Sequence, residues 1–326
     1  MEEIRDSYLL EQLQERRKKL LVATTESREN SGLLQLLQEV DDALKRMEMG
    51  TFGLCETCHD PIEKVRLLAN PCLKYCLDHL TAEEQKTLEQ DLELASRIQG
   101  QFLPEQNLTF NGWEISYHYE AVGPVSGDYC DLIKSDDGSL LFLLGDVAGK
   151  GISASMLMAH LHAIFRTLTP LNLPLSQMVS RANRLFSQTT MADSYATLVC
   201  GRANRSGDIE LCNAGHCPPL VSQPGRITNI EATGLPIGIF PDGQFGSRIL
   251  RLHRGESLVI YSDGLSEARD VSNREYGTER LSALLRKSFG LSAKELVEAS
   301  TEDLVSFRQG ASQTDDLSIM VMRRIE

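Results

Sequence analysis

Six aspartates occupy the ends of apolar segments or glycine-containing turns. They are Asp128, Asp131, Asp146, Asp263, Asp315 and Asp316. Strand ends that lead into turns bring carboxylates together on rigid supports, and carboxylate oxygens are hard ligands that suit Mg²⁺ or Mn²⁺. Two such ions activate water and neutralise a phosphoryl group. The alternative for each motif taken singly is an ordinary turn, where aspartate beside glycine is common.

A second group of candidate ligands lies nearer the N-terminus. Cys55 and Cys58 form one pair with two residues between them, and Cys76 and His79 form another, 17 residues further on. Each pair fits a tight turn, and the loop between them allows a tetrahedral zinc site. Four protein ligands make a closed, structural site. His59 and Cys72 are the replacements if His79 does not coordinate; chance cysteine density is the alternative to a metal site.

Composition limits the class of protein. A chain of 326 residues favours two domains. The formal charge of −13 argues against a nucleic-acid groove. The longest apolar run, Leu140 to Leu144, is too short to cross a membrane, and the N-terminus lacks the basic and apolar regions of a signal peptide. We therefore expect a cytoplasmic protein without membrane or direct nucleic-acid binding.

The elements that must position these residues follow from hydrophobic periodicity. Residues 3–22 and 33–48 predict a helical hairpin joined through TTESRENSG, and Thr81 with Glu84 forms a capping box that opens a helix reaching about residue 102. Strands are predicted near 114–122, 139–145, 195–202, 208–213, 257–262 and 317–323, and helices near 152–168, 175–188, 278–288 and 293–307. The predicted domains are a hairpin (1–49), a cysteine-rich module (50–80), a connector helix (81–103) and a larger domain (104–326).

The cysteine-rich segment resembles a known zinc finger. GTFGLCETCHDPIEKVRLLANPCLKYCLDH is similar to the finger of the DksA/TraR family in its leading glycines, its Arg-Leu-x-Ala-x-Pro stretch and its cysteine spacing. His79 stands where that family usually has a fourth cysteine. In longer members a coiled-coil hairpin carries acidic residues at its tip into RNA polymerase. The turn here has Glu26, Arg28 and Glu29 instead of paired aspartates, so transcription control is only weakly implied.

The larger domain resembles a family of phosphatases. ASRIQGQFLP, VSGDYCD, GDVAGKG, ATLVCG, NAGHCPP, GLPIGI, YSDGLSEA and DDLSIMV follow the order seen in the SpoIIE/RsbU-like branch of the PPM (PP2C-type) serine/threonine phosphatases, over residues 92–324. The resemblance implies an α+β fold, an αββα sandwich with a two-metal site at one end. It also implies metal ligands, namely Asp128, Asp146, the Val147 carbonyl, Asp263 and Asp315, with Asp131 and Asp316 outside the ligand shell.

Several nearby residues depart from the family pattern or allow two interpretations. Lys150 stands where many relatives have histidine, and Ser126 where many have glycine; we expect Lys150 to be a solvated lysine, with contact to an anionic substrate as the alternative. His216, in the NAGH motif with Asn213, is either a hydrogen-bonded turn residue or a general acid. Every metal aspartate that the resemblance implies is present, so the sequence predicts an active enzyme.

The resulting hypothesis is a metal-dependent phosphoserine/phosphothreonine protein phosphatase that uses two Mn²⁺ or Mg²⁺ ions and holds one structural Zn²⁺. The resemblance implies a phosphorylated STAS-type anti-sigma-factor antagonist as substrate in a partner-switching pathway. It also implies regulation through the connector helix, with the N-terminal helices as a sensor or homodimer module. The alternative is an RNA-polymerase-binding regulator whose phosphatase-like domain is a scaffold.

Overall fold

The computed structural model describes residues 2–26, 31–191 and 193–326. Two compact units divide the chain, Met1–Asp91 and Leu92–Glu326. The boundary falls within α4 (Ala82–Gly100), whose first turn has the predicted capping box: Glu84 N donates to Thr81 Oγ1 over 3.2 Å, and Thr81 N to Glu84 Oε2 over 2.9 Å. Reciprocal bonds of this kind satisfy amide groups that a helix start otherwise leaves free.

The N-terminal unit begins with the predicted hairpin, α1 (Glu2–Glu26) and α2 (Ser31–Glu48), followed by a short α3 (Lys64–Ala69) and a 3-10 turn (Leu77–His79). Its small core joins the helices to the cysteine-rich segment through Leu13, Val40, Ala43 and Cys72. The Arg46 guanidinium, on α2, donates to the carbonyls of Cys72 and Leu73. Arg28 and Glu29 of the predicted tip lie outside the described residues, and the side chain of Glu26 does too.

The second unit contains two antiparallel sheets. Its strands are β1 (Asn107–Phe110), β2 (Trp113–Glu120), β3 (Asp128–Lys134), β4 (Leu140–Val147), β5 (Ala196–Ala203), β6 (Asp208–Ala214), β7 (Leu220–Gln223), β8 (Arg226–Asn229), β9 (Arg248–Arg251), β10 (Ser257–Tyr261) and β11 (Leu317–Arg324). One sheet has the order β1-β2-β11-β10-β7-β8, and the other has the order β3-β4-β5-β6-β9.

Helices cover the outer face of each sheet. They are α5 (Gly151–Leu168), α6 (Leu175–Thr189), α7 (Asp263–Ser266), α8 (Gly277–Lys287) and α9 (Ala293–Arg308), with a 3-10 turn at Thr169–Leu171. The α5 and α6 helices pack on the β3-β4-β5-β6-β9 sheet, and α8 and α9 pack on the other. These layers confirm the αββα sandwich that the resemblance implied.

The core between the sheets explains why the strands are so apolar. Every residue from Leu140 to Leu144 in β4 is fully buried, because β4 faces the other sheet on one side and α5 on the other. Alternate side chains therefore enter different cores, with Phe142 between the sheets and Leu143 under the helices. Among the described residues, no helix is long and apolar enough to span a membrane.

Candidate functional site

Asp128 and Asp146 are direct partners across the first hairpin of one sheet. Asp128 opens β3, Asp146 lies near the end of β4, and the register pairs them. Asp128 is only 2% exposed, and its Oδ2 accepts a hydrogen bond from Ser318 Oγ on the opposite sheet. The two sheets therefore meet at this carboxylate. The predicted run of apolar residues before Asp146 is what fixes it at the strand end.

Asp263 and Asp315 come from the other sheet. Asp263 begins α7 two residues after the end of β10, and Asp315 lies two residues before the start of β11, the antiparallel neighbour of β10. Gly264 is required here, because a Cβ at that position would stand 1.9 Å from the Asp316 carbonyl oxygen. The Asp-Gly pair therefore allows the two strand ends to approach closely.

Like charges at this end of the sandwich act strongly on one another. Burial, and then the charges of Asp263, Asp315 and Asp316, raise the pKa of Asp146 to about 7. Burial and the Asp146 charge raise the pKa of Asp128 well above its usual value, and burial and Asp315 raise that of Asp263. Carboxylates that oppose one another's ionisation are the donor set that a divalent cation stabilises.

The backbone leaves space beside two of the candidate ligand oxygens. A Cβ on Gly127 would lie 3.0 Å from the Val147 carbonyl oxygen and 3.5 Å from Asp146 Oδ1. Glycine at this position therefore keeps the approach to both oxygens open. Carboxylate oxygens, a backbone carbonyl and room next to them fit Mg²⁺ or Mn²⁺.

Asp316 braces the loop before Asp128. Its carboxylate accepts hydrogen bonds from the amides of Val122 and Gly127 and from the hydroxyl of Ser126, over 2.7–2.9 Å. The Ser126 hydroxyl in turn accepts a hydrogen bond from the amide of Asp128 over 3.0 Å. The role of Ser126, noticed in the sequence only as a departure from glycine, is therefore to join Asp316 to the start of β3.

Gln99, near the end of α4, holds the same loop through the backbone of Ser126. Its Nε2 donates to the Ser126 carbonyl over 2.7 Å, and its Oε1 accepts from the Ser126 amide over 2.9 Å. Gln99 is buried although most of α4 is exposed. Nothing in the sequence distinguishes Gln99 from Gln101, the other glutamine of the ASRIQGQFLP motif.

Lys150 is exposed, as expected, but it is not free. Its Nζ donates to Asp315 Oδ2 over 3.0 Å and to the Thr314 carbonyl over 2.8 Å. The contact with Asp315 raises the pKa of Lys150. The loop that starts α5 and the loop before β11 are thus linked by an ammonium group.

Asn213 and His216 form a buried turn. The Asn213 side chain accepts from the His216 amide over 2.8 Å and donates to the His216 carbonyl over 3.1 Å. His216 Nδ1 shares a hydrogen bond of 2.7 Å with Thr197 Oγ1, and burial lowers the pKa of His216 to about 4. A neutral, buried imidazole favours the turn interpretation over the general acid.

Asp131 stands apart from the other five aspartates. Its separation of three residues from Asp128 along β3 directs the two side chains to opposite faces. Asp131 is fully buried, and its carboxylate accepts two hydrogen bonds from Arg166 of α5 (2.6 and 2.9 Å) and one from Tyr129 (3.2 Å). It therefore ties a helix to the sheet.

The N-terminal unit contains a second donor cluster. The ligand atoms of Cys55, Cys58, Cys76 and His79 all lie within 4.8 Å of one another. Burial opposes ionisation of Cys55, but backbone hydrogen bonds from Cys58, Cys76 and Thr57 outweigh it and lower the pKa of the thiol to about 6. Three sulfurs and an imidazole have the composition of a structural zinc site.

The two alternative zinc ligands have other surroundings. His59 has a positive φ of 61°, and its ring forms a hydrogen bond of 3.2 Å with the Cys55 carbonyl. Cys72 packs in the small core of the helical hairpin. The structure thus groups His79, and neither of these, with the three cysteines.

Each of the two units contains a segment that matches a known protein family. The profile of Stage II sporulation protein E (SpoIIE) matches residues 136–325, and that of the prokaryotic dksA/traR C4-type zinc finger matches residues 50–78. The chain is 26% identical to Phosphoserine phosphatase RsbU of Bacillus subtilis, over 74% of this chain and 72% of RsbU. It is 26% identical to Protein IcfG of Synechocystis sp., over 72% of this chain and only 41% of IcfG.

A solved structure shares the fold of the second unit. The SiaA-PP2C domain of Pseudomonas aeruginosa superimposes with a TM-score of 0.65 at 20% identity, covering 74% of this chain and 99% of that domain. The second unit therefore has the PP2C fold. The chain belongs to the SpoIIE family, and it carries a DksA/TraR-type zinc finger before the family domain.

Proposed function

We propose that this protein is a metal-dependent phosphatase of phosphoserine or phosphothreonine in proteins. The observation that carries the proposal is the cluster of Asp128, Asp146, Asp263 and Asp315 at one end of a PP2C-fold sandwich. The raised pKa of Asp146 supports a site built for cations. The proposal is also supported by similarity to RsbU, which is named a phosphoserine phosphatase.

In this mechanism the protein supplies position and charge. Asp128, Asp146, Asp263, Asp315 and the Val147 carbonyl would hold two Mn²⁺ or Mg²⁺ ions. When bound, the ions supply an activated water and neutralise charge on the phosphoryl group. The carboxylates keep their places because strands from both sheets carry them, with the Ser318 hydroxyl orienting Asp128.

Asp316, Ser126 and His216 support the candidate ligands without binding an ion themselves. Asp316 and Ser126 fix the loop that precedes Asp128. His216 fixes Thr197, which is the register partner of Asp146 on β5. Each acts on a candidate ligand through the loop before it or through the neighbouring strand, so each is a positioning residue.

The proposed substrate is a phosphorylated STAS-type antagonist of an anti-sigma factor, within a partner-switching pathway. Support comes from the relationship to RsbU and from the SpoIIE family domain. The net charge of −13 on the whole chain favours a protein substrate with a complementary, basic surface around its phosphoserine.

The test is dephosphorylation of a serine-phosphorylated STAS protein by the full chain with Mn²⁺, followed by phosphate-affinity electrophoresis. A phosphotyrosine peptide serves as the mismatched substrate. We expect loss of the phosphoserine species, little effect on phosphotyrosine, and no turnover by Asp263→Asn. Absence of turnover, with wild type and Asp263→Asn co-purifying equally with RNA polymerase, would support the transcription regulator instead.

The N-terminal module is proposed to regulate this activity through α4. Gln99 connects the end of α4 to Ser126, and Ser126 connects to both Asp316 and the amide of Asp128. A change in the position or order of α4 would therefore reach a metal ligand through two hydrogen bonds. The zinc finger, carried on the hairpin, is the proposed sensor.

The hairpin is also the proposed site of homodimer formation. Leu10 and Leu21 of α1 are 37% and 41% exposed and line a groove with Leu44 and Met47 of α2. Apolar side chains collected along a helix pair are typical of helical association. Sedimentation of the full chain and of Leu21→Arg measures whether a dimer forms and whether this groove is its interface.

A further inference from the structure

Lys150 occupies an unusual position for an exposed lysine. It is the residue before the first turn of α5, in extended conformation (φ −136°, ψ 163°), between Gly149 and Gly151, which both have positive φ. Backbone of that kind favours glycine, so the loop fits the sequence GKG. It directs the lysine stem across the carboxylate end of the sandwich to Asp315.

The Lys150 ammonium uses two of its three N–H groups in the hydrogen bonds described above. Nζ donates to Asp315 Oδ2 and to the Thr314 carbonyl, which leaves one N–H free of these two partners. The Lys150 side chain is 66% exposed and that of Asp315 is 45% exposed. An exposed pair of this kind contributes little to stability, so its position calls for a different explanation.

The electrostatic setting points to an anion. The positive charge of Lys150 opposes the rise in the pKa of Asp146 and of Asp263, so it acts on two carboxylates besides its direct partner Asp315. A phosphate monoester that approaches four carboxylates is repelled unless cations neutralise them. A lysine is a compact charge on a flexible stem, and it binds phosphate as a point charge.

We propose that Lys150 binds the phosphate of the substrate, and that its bond to Asp315 holds it ready at the entrance to the site. The inference rests on the proposed phosphatase function and adds a substrate-binding residue to it. If the Asp315 carboxylate held a divalent ion, the Lys150 ammonium would be left without its charged partner. The four-carbon stem then allows Nζ to turn toward a phosphate oxygen while the Gly149 and Gly151 backbone stays in place.

The experiment compares Lys150→Ala and Lys150→Arg in the full, Mg²⁺-loaded chain. Lys294→Ala is the matched control, since Lys294 is 63% exposed and lies on α9 beside Glu298. We expect Lys150→Ala to raise KM for the phosphoprotein, and the inhibition constant of inorganic phosphate, about tenfold. We expect kcat within about threefold of wild type, partial rescue by Lys150→Arg, and no effect of Lys294→Ala.

Two further measurements distinguish a failure of the Lys150 assignment from a failure of the proposed phosphatase function. Calorimetric titration of Mg²⁺ tests the site itself, and titration of inorganic phosphate into the Mg²⁺-loaded chain tests Lys150 without any turnover. Equal phosphate binding by wild type and Lys150→Ala, with altered Mg²⁺ affinity, would overturn the proposal and leave Lys150 as a counter-ion of Asp315. Lysine-dependent phosphate binding in a chain without turnover would support the Lys150 assignment while rejecting the phosphatase function.

Discussion

His216 and Thr197 share a buried hydrogen bond of 2.7 Å between Nδ1 and Oγ1. Thr197 lies opposite Asp146 in the sheet, and His216 is 5% exposed on the turn that follows β6. The imidazole thus supports the strand that pairs with a candidate metal ligand. Because this position is closed to water, it requires the neutral form of the ring.

A pH dependence of stability follows from His216. Burial lowers its pKa from 6.5 to about 4, so the unfolded chain binds a proton that the folded chain refuses between these values. The contribution of His216 is fully present above pH 6.5 and is lost as pH falls toward 4, by about 3 kcal/mol in total. His216→Gln should therefore lose less stability than wild type over that interval.

Urea unfolding at pH 7.5 and pH 4.5 measures the difference. Trp113 is the single tryptophan and is fully buried in the second unit, so its emission reports that unit. His253→Gln is the control, since His253 is exposed. Equal losses of stability in wild type and His216→Gln would show that the ring is not held neutral.

Gln99 tests the link between α4 and the carboxylate cluster. Gln99→Ala removes both hydrogen bonds to Ser126, so the loop before Asp128 loses part of its support. We expect half-maximal turnover to need about tenfold more Mn²⁺, equivalent to one to two lost hydrogen bonds, and saturating Mn²⁺ to restore activity. Gln101→Ala, an exposed neighbour, should have no effect. A lower maximal rate at unchanged Mn²⁺ dependence would contradict the link.

The pair of Asp131 and Arg166 has a structural role. Arg166→Met retains the aliphatic stem but leaves a fully buried carboxylate without its cation, and we expect a loss of about 2 kcal/mol, less than for a fully buried pair. Arg184→Met breaks an exposed pair with Asp242 and should cost about 0.5 kcal/mol or less. Urea midpoints from Trp113 emission compare the two. Similar shifts of the urea midpoint in the two variants would show that the pair of Asp131 and Arg166 does not stabilise the fold more than an exposed pair.

Zinc content tests the ligand set of the N-terminal unit. His79→Ala leaves three of the four grouped ligands and should release zinc to a chelator that the wild type withstands. His59→Ala and Cys72→Ala should keep one zinc per chain, because neither side chain belongs to the group. Metal analysis after dialysis against the chelator gives the answer. Loss of zinc from Cys72→Ala alone would assign the fourth position to Cys72.

The sequence is most informative where chemistry and local structure coincide. Asp146 and Asp263 each follow an apolar run and are next to a glycine, so their positions at strand ends could be predicted from the local sequence. Strands β2, β4, β5, β6, β10 and β11 were predicted for the same reason. By contrast β1, β7, β8 and β9 have only four residues each, too few to establish a period of two. The seven-residue β3 was not predicted either, because Asp128 and Asp131 interrupt its apolar residues.

The contacts around the carboxylate cluster could not be predicted, because they join residues that are far apart in the chain. Ser318 contacts Asp128 across 190 residues of chain, and Gln99 contacts Ser126 across 27. Serine and glutamine are frequent in any sequence, and only the tertiary fold selects which of them meets a carboxylate or a loop. For Lys150 the exposure could be predicted, but the partner could not, since Asp315 is 165 residues distant.

The most direct test of the central claim is phosphate release by the full chain from a phosphoserine protein, measured with Mn²⁺, with chelator, and with Mn²⁺ restored. Asp146→Asn is the test variant, and Asp136→Asn, at an exposed position, is its control. We predict turnover that the chelator abolishes and Mn²⁺ restores. Turnover by Asp146→Asn should be at least about a hundredfold lower than that of wild type, and turnover by Asp136→Asn should be unchanged. Turnover that persists in chelator, or that Asp146→Asn retains in full, would contradict a metal-dependent phosphatase site at these carboxylates.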